Sequence, residues 1–546
     1  MIRSDLPSWA KPLAAEICDL LVIGGGATGL GVAVQAALEG RRVAIVEARD
    51  FACGTSSRST KLLHGGVRYL AQGRIRLVRE ALRERGLVLG LAPHLAQPLP
   101  FVVAEKNWFS WAVTMLGLQL YQRLAGRLSL GSTQGLDSAA LRRLLPTLNN
   151  TVAGVRYWDG QFEDARLALA LARTAQAAGA FLRNHTRVVS LAAEGPLWAV
   201  TLEDALSGER ATVRARCVVN AAGVWVDKLR QLALSRPPAS DAKAQPLARA
   251  PVRPLVRPSQ GVHLVVSRQT LPITEAVLVP RTSDGRVLFA VPWLGAVVIG
   301  TTDTPRDDAP LEPRPMADEL HFLFGETRRA LGVALTAADV QSVWVGLRPL
   351  VGGAGPQEAE AGRTASISRE HLIAREAPGF VTVTGGKWTT YRAMAEEVMA
   401  CLVSAGDLQA AARVAHTDRH RLWGAPPAGS PAVSLQAAPG LHLMGSAAAD
   451  VAQLPGHDKF LGLGLTESLV RYSARYEWAV TVEDMLARRW RALFIDARAA
   501  AAMAPRVAEL LREETGIDPQ LHAFLALCGQ YLVPGDFVPG DTDVAP

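Results

Sequence analysis

The sequence has few cysteines and few lysines, and both shortages exclude classes of protein. Its five cysteines lie far apart in 546 residues, with no CxxC pair, so we expect neither a metal knuckle nor a disulfide framework. A reducing compartment fits this usage best. Only seven lysines accompany 51 scattered arginines, and the net charge is +7. Without a dense basic run, this charge favours a solvated arginine-rich surface or an anionic membrane over nucleic acid.

Long apolar runs are also missing. No stretch reaches the roughly 18–20 uninterrupted apolar residues of a transmembrane helix, and the N-terminal segment lacks the apolar core of a signal peptide. The most apolar stretch, residues 108–121, has aromatic side chains at both ends. Because it is too short to span a bilayer, it is either a buried core helix or an interfacial segment flanked by Arg123 and Arg127.

A glycine motif near the N-terminus predicts a dinucleotide site. Gly24, Gly26 and Gly29 form G-x-G-x-x-G directly after the apolar run 19–23 and before a helical stretch over 29–39. The first glycine permits a tight turn, the second lets the backbone approach a pyrophosphate, and the third allows close helix packing. Glu47 ends the next predicted strand, 42–47, where a carboxylate accepts hydrogen bonds from a ribose.

This motif does not choose between NAD and FAD, but two later segments do. A predicted strand over 214–220 runs into Asn220–Trp225, and residues 384–390 (TGGKWTT) open a second helical stretch. Taken in this order, the segments resemble the glycine signatures of two-dinucleotide-domain flavoproteins. A helix that begins at the flavin favours negative charge on the reduced ring. The predicted fold class is therefore α/β plus α, with a Rossmann-like FAD-binding domain.

Composition shifts divide the chain. Residues 261–302 contain short β-type runs typical of a mixed sheet, whereas 236–258 and 424–440 are rich in proline and predict connections. Residues 71–150 alternate helical patterns with proline-containing loops, and 467–516 is mostly helical with Gly516 as its C-terminal stop. We expect a 1–18 extension, an FAD-binding domain over 19–400 with an interleaved substrate domain (roughly 90–150 and 240–350), a linker over 401–440, and a mostly helical domain over 441–546.

Several segments carry a specific resemblance. Residues 53–70 read CGTSSRSTKLLHGGVRYL, residues 346–350 read GLRPL, and residues 385–392 read GGKWTTYR. Together with EDARL at 163–167, GTTD at 300–303 and the helical 471–503 stretch, this combination resembles the FAD-dependent glycerol-3-phosphate dehydrogenases. The likeness covers about 19–400 and most of 465–516.

The resemblance implies an activity and a set of cofactor contacts. It implies oxidation of sn-glycerol 3-phosphate to dihydroxyacetone phosphate, non-covalent FAD, a membrane quinone as acceptor, a homodimer, and a peripheral position on the cytoplasmic face of an inner membrane. A covalent histidyl–flavin link at His64 is the less favoured alternative. The implied cofactor residues are Gly24, Gly26, Gly29, Glu47, Thr55, Ser56, Ser57, Lys61, His64, Gly65, Gly66, Val188, Ala222, Gly223, Gly386, Lys387 and Thr389.

The same resemblance implies a cationic substrate pocket. A phosphate suits arginine, whose guanidinium binds two oxygens at once. The implied substrate residues are Arg68, Tyr69, His263, Arg348, Arg369 and Lys387.

His263 lies in the apolar run GVHLVV, where an unpaired imidazole is costly. It is therefore either a general base or a core histidine with a backbone partner. Arg348 is the second catalytic candidate, since it would stabilise a developing alkoxide.

Other functions stay open at this point. An oxidase of the same substrate would pass electrons to O2, and an amine or amino-acid oxidase would bind a carboxylate instead of a phosphate. A non-enzymatic flavin-bearing protein that binds nucleic acid is the weakest reading. We expect no metal site, because His416 and His420 enclose TDR, which does not match the H-E-x-x-H zinc motif.

Overall fold

The computed structural model describes residues 7–71, 73–148, 151–234, 252–352 and 371–539. Within these residues two large sheets lie in the first 385 residues and a mostly helical part follows. The predicted fold class is confirmed. The predicted loop 236–258 falls largely outside the described residues.

The strands of these residues are, in chain order, β1 (Cys18–Ile23), β2 (Val43–Val46), β3 (Leu62–Leu63), β4 (Ala96–Glu105), β5 (Gln134–Asp137), β6 (Ala153–Phe162), β7 (Phe181–Arg183), β8 (Thr186–Glu194), β9 (Leu197–Asp204), β10 (Arg210–Asn220), β11 (Val256–Ser267), β12 (Ala276–Val279), β13 (Leu288–Trp293), β14 (Ala296–Gly300), β15 (Thr304–Pro305), β16 (Val340–Val351), β17 (His371–Ala377), β18 (Phe380–Gly385), β19 (Phe460–Gly462) and β20 (Leu465–Thr466).

The α-helices are α1 (Lys11–Ala14), α2 (Ala27–Leu38), α3 (Val67–Ala71), α4 (Ile75–Leu91), α5 (Trp108–Ala125), α6 (Ser138–Leu144), α7 (Asp164–Ala177), α8 (Val226–Leu234), α9 (Ala317–Leu331), α10 (Tyr391–Ser404), α11 (Ala448–Ala452), α12 (Glu467–Tyr476), α13 (Ala492–Ile495), α14 (Ala497–Thr515) and α15 (Leu521–Gln530). Short 3-10 turns cover Thr55–Ser57, Gly223–Trp225 and Trp388–Thr390, and a π-helical turn covers Asp484–Arg489.

The first sheet is the dinucleotide-binding one. Its parallel part runs in the order β18-β10-β1-β2-β7, with β17 antiparallel at one edge. β9 pairs antiparallel with β10, and β8 pairs antiparallel with β9. β1 and β2 are buried along nearly their whole length, because helices cover a parallel sheet on both faces. The predicted strand–helix–strand unit at the N-terminus is confirmed in this sheet.

The second sheet has the order β15-β11-β14-β13-β12-β4-β6-β3, with β16 paired to β11 and β5 to β6. Its longest pairing joins β11 to β16, antiparallel, from Val256↔Val351 to Val266↔Val340. This pairing places His263 and Arg348 on neighbouring strands. The mixed sheet predicted over 261–302 is confirmed.

β4 is a strand where the sequence indicated helices and proline-containing loops. It carries Pro98 and Pro100, yet pairs with β6 from Ala96 to Glu105. β12 pairs with β4 only at Phe101 and Val102. The two prolines are two positions apart, so both missing N–H groups lie on one edge of the strand, at the stretch that β12 leaves unpaired.

The helical C-terminal part (residues 441–539) packs on the first sheet through buried ion pairs. Arg488 and Arg489 both bind the carboxylate of Asp50, and His185 bonds to Asp484 at 2.9 Å. The predicted helical stretch 467–516 contains α12 to α14, and Gly516, with φ of +70°, ends α14 as predicted.

Candidate active site

Four parallel strands end at one edge of the first sheet, and each is followed by predicted cofactor residues. β1 runs into Gly24, β2 into Glu47, β10 into Ala222 and Gly223, and β18 into Gly386. Ligands of open α/β sheets bind at this carboxyl edge. The fold therefore brings residues that are up to 362 positions apart to one place.

The glycine turn after β1 has no room for side chains. Gly24 has φ of +112°, and a Cβ there would lie 2.5 Å from the carbonyl oxygen of Ala221. A Cβ at Gly29 would lie 1.9 Å from the carbonyl oxygen of Gly24. Gly26 is the N-cap of α2, whose first N–H groups lack intrahelical partners. A bare turn at a helix N-terminus fits the pyrophosphate of FAD.

Glu47 lies against this turn. Its carboxylate accepts hydrogen bonds from the N–H of Gly25 at 2.7 Å and of Arg49 at 3.0 Å. Burial raises the pKa of Glu47, although these two N–H groups oppose the rise. The position suits the predicted ribose contact, which stays a prediction.

The segment predicted to wrap the flavin is anchored on three elements. The Ser56 hydroxyl accepts from the N–H of Ala27 at 2.9 Å, and the Ser56 carbonyl accepts from Trp388 Nε1 at 2.8 Å. The Thr55 hydroxyl donates to the carbonyl of Leu347 at 2.6 Å. Helix α2, strand β16 of the second sheet and the turn after β18 therefore fix Thr55 and Ser56.

Two further predicted cofactor residues follow β3. The N–H of Gly65 donates to the Tyr121 hydroxyl at 2.8 Å. Gly66 has φ of +78°, and a Cβ there would lie 2.5 Å from the Tyr69 ring and 3.2 Å from Lys387 Nζ. His64, half-buried, precedes them.

The ends of β10 and β18 are joined directly, because the Thr384 hydroxyl donates to the carbonyl of Gly223 at 3.2 Å. Thr389 is buried in the 3-10 turn that follows. Val188 lies elsewhere, in β8, opposite Leu202 and off the parallel part of the sheet.

Lys61 is enclosed on all sides. Its Nζ donates to Asp164 Oδ2 at 2.7 Å and to the carbonyl of Ser57 at 2.9 Å, and the side chain is fully buried. Burial lowers the pKa of Lys61 to about 7, against the opposing charge of Asp164. The predicted cofactor contact of Lys61 therefore falls to its backbone and stays a prediction.

His263 is buried in β11 and its ring stacks on Trp344, with ring centroids 4.0 Å apart. The two residues are directly opposite in the β11–β16 pairing, which is why their side chains meet. The partner of Nε2 is the Thr60 hydroxyl at 3.0 Å. Burial, with Lys61 and Arg348, holds the pKa of His263 well below its usual range, so the imidazole is neutral.

Arg348 is held by the turn that follows β14. Its guanidinium donates to the Thr301 hydroxyl at 3.1 Å, to the Thr302 carbonyl at 3.0 Å and to Asp303 at 3.3 Å. A Cβ at Gly261 would lie 2.4 Å from Arg348 Nη2. His263 lies opposite Gly300, the residue that ends β14 directly before this turn, so the two predicted catalytic residues flank one loop.

The predicted substrate residues Tyr69 and Lys387 are also brought together. Lys387 Nζ lies 4.0 Å from the centre of the Tyr69 ring. The helix of Arg68 is described but its side chain is not, and Arg369 lies outside the described residues. The structure thus places four of the six predicted substrate residues.

Sequence reasoning missed Thr60, Trp344 and Arg491. Trp344 lies an even number of residues from Arg348 in β16, so strand periodicity would have placed both on one face. Thr60 adjoins the predicted Lys61. Arg491 donates to the carbonyl of Ser57 from 434 positions away, and no local pattern indicates such a contact.

The chain is similar to characterised protein families. A family model described as FAD dependent oxidoreductase matches residues 19–395, and one described as the C-terminal domain of alpha-glycerophosphate oxidase matches residues 442–521. The mitochondrial glycerol-3-phosphate dehydrogenase of Arabidopsis thaliana is 37% identical, over 92% of this chain and 83% of that protein.

Two further relatives agree. Glycerol-3-phosphate dehydrogenase 2 of Mycobacterium bovis is 38% identical, over 88% of this chain and 82% of that protein. The solved structure of the glycerol-3-phosphate dehydrogenase from Bacillus halodurans, complexed with FAD, has a TM-score of 0.72 and 26% identity, over 97% of this chain and 98% of that one. The chain therefore belongs to the FAD-dependent oxidoreductases and, within them, to the glycerol-3-phosphate dehydrogenase family.

Proposed function

We propose that this chain oxidises sn-glycerol 3-phosphate at C2 to dihydroxyacetone phosphate and passes the electrons to a membrane quinone. The observation that carries the proposal is the pairing of a neutral, buried His263 with the Arg348 guanidinium across one loop, in a chain whose relatives bear this activity in their names.

The cationic side chains serve the phosphate. Arg348 is partly exposed, which leaves it accessible to a dianion, whereas the ammonium of Lys387 is buried beside the Tyr69 ring. Arg348 is fixed by contacts with Thr301, Thr302 and Asp303, so little side-chain entropy is lost on binding. Each charge-assisted contact contributes about 1.5–3 kcal/mol.

His263 serves the C2 hydroxyl. A neutral imidazole can accept the hydroxyl proton, whereas an imidazolium cannot. The developing alkoxide is stabilised by the adjacent Arg348 guanidinium, which keeps its charge at all working pH values. Bound FAD supplies the two-electron acceptor for the oxidation.

Membrane association is supported by α5. It is a surface helix in which only Leu118 and Tyr121 are buried. Phe109, Leu116 and Trp108 are 81%, 66% and 62% exposed, and Arg123 and Arg127 are exposed at its C-terminal end. An exposed apolar face bordered by cations is typical of an interfacial helix.

A cationic groove extends this surface. A cavity of about 580 Å³ lies between α4 and the end of α5, lined by Ile75, Arg76, Arg79, Glu80, Arg83, Leu124, Ala125 and Leu128. Three arginines beside apolar side chains complement an anionic headgroup and its acyl chain. In the part of the chain that the structure describes, no helix combines the length and apolarity that crossing a bilayer takes.

The experiment is an anaerobic titration of the FAD-loaded enzyme with sn-glycerol 3-phosphate, followed by the visible absorption of the flavin. We expect rapid bleaching, none with glycerol, and at least a hundredfold slower bleaching in Arg348→Ala. Arg281→Ala, which removes an exposed arginine elsewhere, is the matched control. Flavin that stays oxidised with sn-glycerol 3-phosphate but bleaches with an amino acid would refute the proposal.

The acceptor is tested separately. Rapid reoxidation by a quinone analogue and little peroxide under air would support a dehydrogenase, whereas stoichiometric peroxide would identify an oxidase of the same substrate. The homodimer and the cytoplasmic membrane face also belong to this proposal. Sedimentation of the purified enzyme and protease accessibility in sealed vesicles would test them.

A further inference from the structure

Lys61 is the most deeply enclosed cation near the site. Besides its bonds to Asp164 and Ser57, its Nζ lies 4.6 Å from the ring centre of Trp344 and 5.2 Å from that of Trp293. Its backbone has φ of +66°, a conformation that a side-chain-bearing residue rarely adopts. The surrounding residues therefore fix the position of the Lys61 amine.

Asp164 does not need Lys61 to be satisfied. Its carboxylate also accepts from the N–H and the hydroxyl of Ser59, at 3.1 Å and 2.7 Å, and lies 3.5 Å from Arg491. Arg491 also pairs with Glu163 at 3.0 Å. Two cations and two carboxylates thus form one buried cluster, and neutralising Asp164 does not by itself explain the lysine.

A single aromatic ring, that of Trp344, lies between Lys61 and His263. The Trp344 ring is in contact with both groups, since it lies 4.6 Å from Lys61 Nζ and stacks on the His263 ring at 4.0 Å. Thr60, adjacent to Lys61 in the chain, bonds to His263 Nε2. The charged groups that act on His263 are Lys61 and, from β16, Arg348, with Asp303 paired to Arg348 and Asp164 paired to Lys61.

We propose that Lys61 is a positioning residue for the reaction: its buried ammonium, acting across Trp344, keeps His263 uncharged so that the imidazole can take the C2-hydroxyl proton. This inference rests on the proposed function. The cluster also links the C-terminal part to the chemistry, because Arg491 shares Asp164 and the Ser57 carbonyl with Lys61.

The two titrations are ordered correctly for this role. Burial lowers the pKa of Lys61 to about 7, while burial, Lys61 and Arg348 hold that of His263 well below 6.5. Over the acidic range in which His263 would gain a proton, Lys61 is therefore already charged. The repulsion between the Lys61 ammonium and a proton on His263 therefore acts over that acidic range.

The test is the pH dependence of kcat/KM for sn-glycerol 3-phosphate in Lys61→Met and Lys61→Gln, with Lys228→Met as the control that loses an exposed charge on α8. Removing the ammonium raises the pKa of His263, so the acid limb moves to higher pH by about one unit. The control leaves it in place. An acid limb that stays unmoved in folded, FAD-loaded Lys61 variants would overturn the inference.

A second readout does not depend on turnover or on the variants. In enzyme labelled with ¹⁵N-histidine, with the resonance assigned through His263→Asn, we expect His263 to gain its proton well below its ordinary pKa of about 6.5. A wild-type His263 that titrates at the ordinary histidine pKa of about 6.5 would overturn the inference even if no Lys61 variant folds. If sn-glycerol 3-phosphate does not reduce the flavin, the proposed function fails, while the titration of His263, compared between wild type and the Lys61 variants, still tests the inference.

Discussion

The ammonium of Lys387 lies 4.0 Å from the centre of the Tyr69 ring, over a glycine, Gly66, that leaves room for both. This contact joins the turn after β18 to the segment after β3. It orients a cation that the sequence assigned both to substrate and to cofactor. The two roles are separable by experiment.

Lys387→Met should raise KM for sn-glycerol 3-phosphate by about tenfold or more, because a charge-assisted phosphate contact contributes about 1.5–3 kcal/mol. Steady-state kinetics measure it, with the flavin-to-protein absorbance ratio read in parallel. Tyr69→Phe, which keeps the ring under the ammonium, should change KM less. If Lys387→Met loses FAD at unchanged KM, the residue serves the cofactor alone.

Gly24→Ala should abolish FAD binding. The new methyl would meet the Ala221 carbonyl at 2.5 Å in a backbone with φ of +112°, so the turn must open. The flavin-to-protein ratio after gel filtration measures the loss. Gly90→Ala is the matched control, since a Cβ there meets nothing within 4 Å. This substitution also removes a glycine from helix α4, where alanine is the better helix former. Equal flavin content in the two variants would show that the turn does not hold the cofactor.

Replacing Trp108 and Phe109 together with serine should weaken binding to vesicles that contain phosphatidylglycerol by at least about tenfold, since each exposed ring contributes about 1.5–3 kcal/mol when buried. Flotation of the enzyme with vesicles measures the bound fraction. Phe460→Ser removes a ring that is 72% exposed in β19 and should have little effect. Unchanged flotation of the double variant would exclude α5 as the contact.

His185→Gln should destabilise the enzyme more at pH 6 than at pH 9. Burial opposes protonation, but Asp484 at 2.9 Å raises the net pKa of His185 above 6.5. A raised folded-state pKa gives stability that is full below about 6.5 and is lost as the pH rises through the raised value. The melting temperature of the FAD-loaded protein at both pH values measures it. The exposed His457, changed to Gln, is the control, and an equal loss at both pH values would contradict the assignment.

Local sequence patterns predicted much of the cofactor-binding side of the site. The strand–glycine–helix order around Gly24 predicted the turn, because that pattern lies within a few residues of the chain. The same holds for Gly516, which ends a helix where a left-handed residue is required. By contrast, the prolines of β4 suggested loops. The strand tolerates them because β12 leaves that edge unpaired, and β12 lies more than 170 residues away in the chain.

Sequence alone was enough to predict the dinucleotide turn and the family, because each rests on motifs whose residues lie close together in the chain. The tertiary structure decided which groups surround His263. Thr60 reaches it from 203 positions away, Trp344 meets it only through the β11–β16 register, and Arg491 enters the Lys61 cluster from the C-terminal part. The pKa values of such buried groups are set by burial and by charges that the fold brings together, and no local pattern contains either.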